Sequence, residues 1–597
     1  MFLRKMQQHR NGRTYTYYSL VETVRAAEGR VRQRTICYLG RLDQLRPPDW
    51  LRIAERLPDP AWLPRLQEEV GYTPPQGPTG PVRHATIDPH SIAWCHPRHL
   101  GDVHVGLCAW QLLGLDQLLV RLVGDFRTSV PLDKVAALIA VGRLVEPRSE
   151  RGTQRWLPDT ALPELLEVPR GRIHLNLLYR CLSAVEPHKN TIEAHLVERG
   201  RDLFHLDNDL VLYDLTSTYF EGRMAGNPKA QRGYSRDHRP DCKQLCVGLA
   251  VNRDGFPLGF ESLAGTARDA QTLTPMIEKL EQRCGGLRRI VCFDRGMATE
   301  ANLRHWRQTK RPYLCAVRRN LVRQQLAAIR QGAWQTLPGR RPEWFIDVQE
   351  LPTQELDDVR ERWLLCRSAG CQLKERQIFE TRLGKARQKL ARLQAQVAAR
   401  TFTSAQVILR KARQAAGRTH DLRGVFRFEL RRTASAQELL VEENGAAIQD
   451  ERDLQGVYLL RSTVPDLAPD DLWHTYMLLT RVEAAFRNLK TDLSLRPIFH
   501  HKQARADAHV LFAVLAYALS ATIQLRHRRN GGSLTTAALL DKLERVQLAE
   551  LSFRTPDGEL LRFERASIPT AEQAELLSSL GWPIPPRYLP PDLGTEP

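Results

Sequence analysis

A mixed α/β architecture is predicted for the centre of this chain by three observations. Apolar, β-branched runs recur at LVLYDLTSTYF, QLCVGLAV, FPLGFESL and RRIVCFD. The second and third flank Asn252-Arg253-Asp254-Gly255, whose Asp-Gly pair suits a tight hairpin. DAQTLTPMIEKLEQRC then switches to a helical period before RRIVCFD, as a crossover connection requires.

Taken in order, LVLYDLTSTYF is the first strand and the hairpin supplies two antiparallel neighbours. The helix that follows has Asp269 as its predicted N-cap and Gly285 near its end. RRIVCFD, a short helix through ATEANLRHWRQ and the strand PYLCAVRR complete the series. Three antiparallel strands, a crossover and further strands describe a ribonuclease H-like mixed sheet, interrupted by an inserted β-rich and helical subdomain. That sheet places acidic residues Asp214 and Asp294 at one edge.

At 597 residues the chain is too long for one core. Residues 1–85 are predicted to form a basic β unit, with TYTYYSLVETVR and VRQRTICYLG flanking the turn Glu28-Gly29-Arg30, followed by Pro-rich linker stretches from Pro47 to Pro64 and Pro74 to Pro81. Residues 86–206 read as helical and as a DNA-binding region, 207–319 as the first part of the core, and 320–469 as the insertion. Residues 470–530 supply the final core helices, and 531–597 a C-terminal tail.

Eighty-seven Lys and Arg against 68 Asp and Glu give a formal charge of +19, which favours a polyanionic partner. The excess is local as well: Met1 to Arg46 holds ten Lys/Arg and three Asp/Glu, and Lys374 to Arg418 holds twelve Lys/Arg and two Glu. The latter stretch reads equally as a DNA-facing helix pair or a solvated helical hairpin, because charge alone gives only non-specific phosphate affinity. Eleven scattered cysteines and no apolar N-terminal segment point to a reducing cytoplasm. His238, Cys242 and Cys246 lack a second ligand pair at zinc spacing. VLFAVLAYALSATIQL, from Val510, is too short and interrupted for a bilayer span and reads as a core helix, so no membrane partner is expected.

Asp214 sits inside an apolar strand, Asp294 closes another, and Glu483 in TRVEAAFRNLK lies on an amphipathic helix beginning near Asp470 or Asp471. Burying carboxylates is costly unless cations compensate them, and oxygen-bound magnesium is the usual compensation. Asp214, Asp294 and Glu483 are therefore the candidate catalytic and metal-binding residues, for metal-assisted phosphoryl transfer on nucleic acid. Tyr476, Glu483 and Lys490 recur every seven residues and so share one helical face. Tyr213, Tyr219 and Phe220 read mainly as core, and His500 and His501 as structural or phosphate-contacting, since hard magnesium prefers oxygen.

These residues resemble the DDE transposases of bacterial insertion sequences, in the cut-and-paste branch with a β-rich insertion: the insertion sequence 4 superfamily, 1634-like group. The likeness is carried by YDLTSTYFEG, GYSRDHRPDCKQL, FDRGMATEANL and the Tyr476, Glu483, Lys490 series leading into LRPIFHH. The NGRTYTYYSLVE hairpin also resembles that family's N-terminus. Where the family commonly carries Arg three residues after the Tyr, this chain has Leu479, and Arg481 or Arg487 is the alternative. The resemblance implies cleavage at transposon ends and strand transfer into target DNA, two magnesium ions with manganese as substitute, and DNA contacts from Tyr476, Arg487 and Lys490. It also implies a homodimer on DNA and a cytoplasmic, nucleoid-associated protein. A metal-dependent nuclease and a catalytically silent DNA-binding descendant are the alternatives. A glycosidase, which wants an aromatic-lined cleft, fits poorly with 7% aromatic residues.

Overall fold

In the computed structural model, which describes residues 2–10, 13–25, 31–40, 89–204, 209–283, 289–338, 345–402, 404–417, 420–422, 424–433 and 437–589, the N-terminus is a three-stranded antiparallel sheet. Its strands are β1 (Phe2–Arg10), β2 (Arg13–Arg25) and β3 (Val31–Gly40), with β2 in the middle. β2 and β3 are the predicted hairpin. β1 was not expected, because FLRKMQQHR has too few apolar residues to announce a strand and is recruited by pairing with β2, from Phe2 opposite Val21 to Arg10 opposite Arg13. The turn Glu28-Gly29-Arg30, both Pro-rich stretches and Gly285 lie outside the described residues. The chain divides into two units, Met1–Asp88 with Arg554–Glu559, and Pro89–Phe553 with Leu560–Pro597.

The second unit begins with β4 (Ala93–His99) and a series of helices between Gly101 and Phe204. Its centre is a sheet in the order β10-β11-β12-β15-β9-β8-β5-β6-β7. Here β5 is Leu210–Tyr219, β6 Gln244–Val251, β7 Pro257–Ala264, β8 Ile290–Phe293 and β9 Tyr313–Ala316. β10 is Gln335–Pro338, β11 Phe345–Leu356, β12 Val359–Ser368 and β15 Val457–Ser462. β5 runs parallel to β8, and β8 parallel to β9; the other pairs are antiparallel. The mixed α/β sheet expected from the sequence is therefore present.

Alternating side chains divide β5 between two cores. Val211, Tyr213 and Leu215 pack with Phe293 against the Asp269–Arg283 and Glu300–Gln308 helices. Leu210 and Leu212 join Cys292 and Leu314 in the opposite core, with Val482, Phe486, Leu489 and the Gln503–Arg529 helix. That helix is apolar and long enough to cross a membrane by composition alone, but its residues are buried against the Gly101–Leu112, Leu132–Val145 and Leu175–Val185 helices. The helical region before residue 206 thus shares its core with the chain's last long helix.

The inserted residues differ from a single excursion. β15 pairs with β9, Leu460 opposite Ala316, and β12 with β15, so four strands continue the central sheet. The physical reason is the exposed edge of β9, whose unpaired peptide groups recruit apolar VYLLRS. The largest departure from the sheet is residues 369–443, as the Ala369–Ala398 and Ala405–Ala416 helices and a hairpin of β13 (Phe426–Arg432) and β14 (Gln437–Glu443), around their own core.

Candidate active site

Asp214 and Asp294 come together through strand register. Leu210 pairs with Ile290 and Tyr213 with Phe293, so the two aspartates occupy the next position on adjacent parallel strands. Adjacent strands are about 4.8 Å apart. Oδ1 of Asp214 accepts from Leu215 N at 2.7 Å, and Oδ1 of Asp294 from Arg295 N at 2.7 Å. The second oxygen of each carboxylate has no protein donor among the described residues. Burial, together with the Asp294 charge, pushes the Asp214 carboxyl up to about 7, although the Leu215 N–H and Arg236 act against the shift. Two hard oxygen donors on adjoining strands, one held in a form that resists ionisation, fit a divalent cation.

Glu483 reaches the same face of the sheet without joining the pair. The predicted single helix is broken: Pro469–Met477 ends before Leu478, Leu479–Arg487 follows, and Asn488–Asp492 is a π turn. Val482, Ala485 and Phe486 anchor the second helix over β5 and β6, and Glu483 beside them is exposed. Among the described residues the three acids do not form a group with ligand atoms within 4.8 Å of one another; Glu150, His500 and His509 alone do so.

The shared face expected for Tyr476, Glu483 and Lys490 is likewise corrected by the break and the π turn, which put them in three environments. Tyr476 is largely enclosed beside Tyr458, with ring centroids 6.2 Å apart, and burial plus the Asp294 charge push its hydroxyl up. Lys490 donates to Asp237 at 2.8 Å and is held below the ordinary lysine range, burial being the main cause. Arg496 pairs with the same Asp237 oxygen, whose side chain is only 2% exposed. Arg487 is exposed and has no ion pair among the described residues. Leu479, three residues after Tyr476, is buried.

Three residues without an assigned role line this region. Arg236 is fixed by its backbone N–H to Ser217 Oγ at 3.1 Å, and its guanidinium pairs with Asp269. Asp269 is the first residue of its helix rather than an N-cap, and it adjoins the turn after Asp294: a Cβ on Gly296 would lie 3.1 Å from Asp269 Oδ2. Asp237 gathers Lys490 and Arg496. The alternating charges of GYSRDHRPDCKQL were the signal for Arg236 and Asp237; Asp269 resembled an ordinary cap.

Of the two histidines after the Glu483 helix, His500 is buried in the core and His501 is exposed. His500 Nε2 lies 3.2 Å from Glu150 Oε1, and His509 contacts Arg143 and the Leu495 carbonyl. Burial alone would push Glu150 up, but His500 and the Arg143 charge hold it down at about 2. Glu150 and Arg143 oppose in charge, and the cluster ties their elements to the His500 and His509 segments. Cys246 is buried in β6 while Cys242 contacts Arg239, and neither forms a ligand group with His238.

Paired carboxylates on adjoining inner strands of a mixed sheet, with a third on a helix packed over one of those strands, suit the class of metal-dependent polynucleotidyl transferases. Residues 210–519 match the family profile described as transposase DDE domain, which spans more than half of the chain, and residues 3–59 match the IS1634 family transposase N-terminal domain. The chain therefore belongs to the DDE transposases, of the IS1634 insertion-sequence type. Such domains carry polynucleotidyl transferase and endonuclease activity and depend on divalent metal. The chain is also similar to a piggyBac transposase solved by cryo-electron microscopy as a synaptic complex with hairpin DNA, at 9% identity and a TM-score of 0.34, over 77% of this chain and 82% of that one. No curated protein matches it.

Proposed function

We propose that this transposase binds the ends of its own insertion sequence in duplex DNA, cleaves there, and transfers the freed strands to target DNA. The observation that carries this reading is the register placing Asp214 and Asp294 side by side on β5 and β8. Asp214, Asp294 and Glu483 are the residues that would hold two magnesium ions, for which manganese substitutes. The ions supply activation of the attacking oxygen and charge compensation of the leaving one.

The protein's own contribution is positioning. Lys490, kept beside the site by Asp237, and exposed Arg487 contact the phosphate backbone, while Tyr476 closes the site beside Asp294. The enzyme works as a homodimer on DNA, one active site for each element end, in the cytoplasm at the nucleoid. Purified protein incubated with labelled DNA from the flanks of its gene, with magnesium or calcium, tests this on denaturing gels. Cleavage with joined products is expected with magnesium. Cutting without joining would reduce the enzyme to a nuclease, and binding without cutting to a silent descendant.

A further inference from the structure

The long Ala369–Ala398 helix buries Phe379, Leu383, Ala386, Leu390, Leu393 and Val397. Their spacing alternates four and three residues, which holds a seam in place along the helix's length, so any stripe flanking the seam also runs straight. Lys374, Lys385, Lys389 and Arg392 are exposed and fall within an arc of about 60° at 100° per residue, to one side of that seam. From the first to the last is eighteen residues, or about 27 Å.

Charge on this hairpin is sorted. The helix's two acids face the rest of the unit: Glu375 accepts from Gly456 N and pairs with Arg319, and Glu380 pairs with Arg452. Arg382 and Arg387 are matched by Asp421 and Glu443. Lys374, Lys385, Lys389 and Arg392 have no ion pair among the described residues, nor has exposed Arg376 off the arc, and no acid interrupts the four on their arc. A solvated helix gains from interspersed pairs of opposite sign, whereas this one concentrates four unmatched cations on one line.

We propose that this stripe is a docking surface for the sugar-phosphate backbone of double-stranded DNA. The assignment rests on the reading of the chain as a DNA transposase and adds where the duplex lies. Over about 27 Å a duplex presents roughly sixteen charges at one per ~1.7 Å, enough to engage all four cations. The side chains are long and separated by helical turns, so the contact reads no bases and serves any sequence.

The test is anisotropy-monitored binding of the full-length protein to a random-sequence duplex across a salt series. A variant carrying Lys374→Gln, Lys385→Gln, Lys389→Gln and Arg392→Gln should show a slope of log affinity against log salt shallower by about 3.6, four contacts at ~0.9 each. Between about 50 and about 200 mM salt, wild type should therefore lose roughly 150-fold more affinity than the variant. The corresponding Lys→Arg and Arg392→Lys variant should restore the wild-type slope, which separates lost charge from lost folding. A glutamine variant with wild-type slope overturns the stripe. So does a change seen with RNA of the same length and not with duplex DNA. Either outcome leaves cleavage and joining at the element ends to be scored separately on gels, so the transposase reading stands or falls on its own result.

Discussion

Replacing Asp214 by Asn should stabilise the metal-free protein at alkaline pH while abolishing catalysis. The folded carboxyl sits at about 7 against an ordinary 3.8, a rise caused first by burial and then by Asp294. A raised carboxyl means that the folded state holds its proton longer than the unfolded state, so this residue's stability contribution is intact below about 4 and lost as pH climbs to about 7. The rise of about three units corresponds to at most about 4 kcal/mol. Asn keeps an oxygen for the Leu215 N–H and carries no charge, so it escapes the loss. Urea unfolding in EDTA should show the variant ahead by up to about 4 kcal/mol at pH 8 and by less than about 2 kcal/mol at pH 5. Magnesium should raise wild-type stability and leave the variant unmoved. A variant less stable than wild type at pH 8, or a gap independent of pH, would refute the argument.

Asp237→Asn should lower strand cleavage more than DNA binding, because Lys490 and Arg496 lose the anion that fixes them; unchanged cleavage kinetics would remove Asp237 from the site. Gly248→Ala should cost about 1–3 kcal/mol of stability by overpacking, since the added Cβ would lie 2.4 Å from the Tyr213 hydroxyl behind the catalytic strand; thermal unfolding measures it. Phe486→Ala should cost about 3–5 kcal/mol and, by loosening the helix that carries Glu483, lower the cleavage rate even where the protein remains folded. Burial lowers His104 from 6.5 to about 4, so its unfolded form binds a proton first and stability falls by about 3 kcal/mol as pH drops from 6.5 to 4; His104→Gln should flatten that part of the pH-stability curve.

Asp214 and Asp294 were legible because each interrupts or ends an apolar run whose other residues have an evident core role. The hairpin at Asn252 to Gly255 was legible for a local reason too: Gly255 takes φ +86°, which the turn demands. What stayed hidden depends on partners distant in sequence. The recruitment of β1 and β15 is decided by which strand edge is open, and no residue within FLRKMQQHR or VYLLRS states that. The break at Leu478 lacks Gly or Pro, so the periodic reading ran Tyr476, Glu483 and Lys490 onto one continuous helix. Asp269 reads as a cap, and its approach with Arg236 to the aspartate pair arises only when β5, β8 and the Asp269–Arg283 helix pack.

The pairing of β9 with β15 brings the chain back to the sheet it left. The 140 residues between Ala316 and Val457 leave β9 and return on the neighbouring strand of the same sheet, where Ala316 lies opposite Leu460. The excursion is nonetheless locked to the core: Glu361 on β12, fully buried, accepts from Arg307, Tyr313 and Arg461. Exchanging the excursion would strand two buried arginines beside β9, the neighbour of the strand that ends at Asp294.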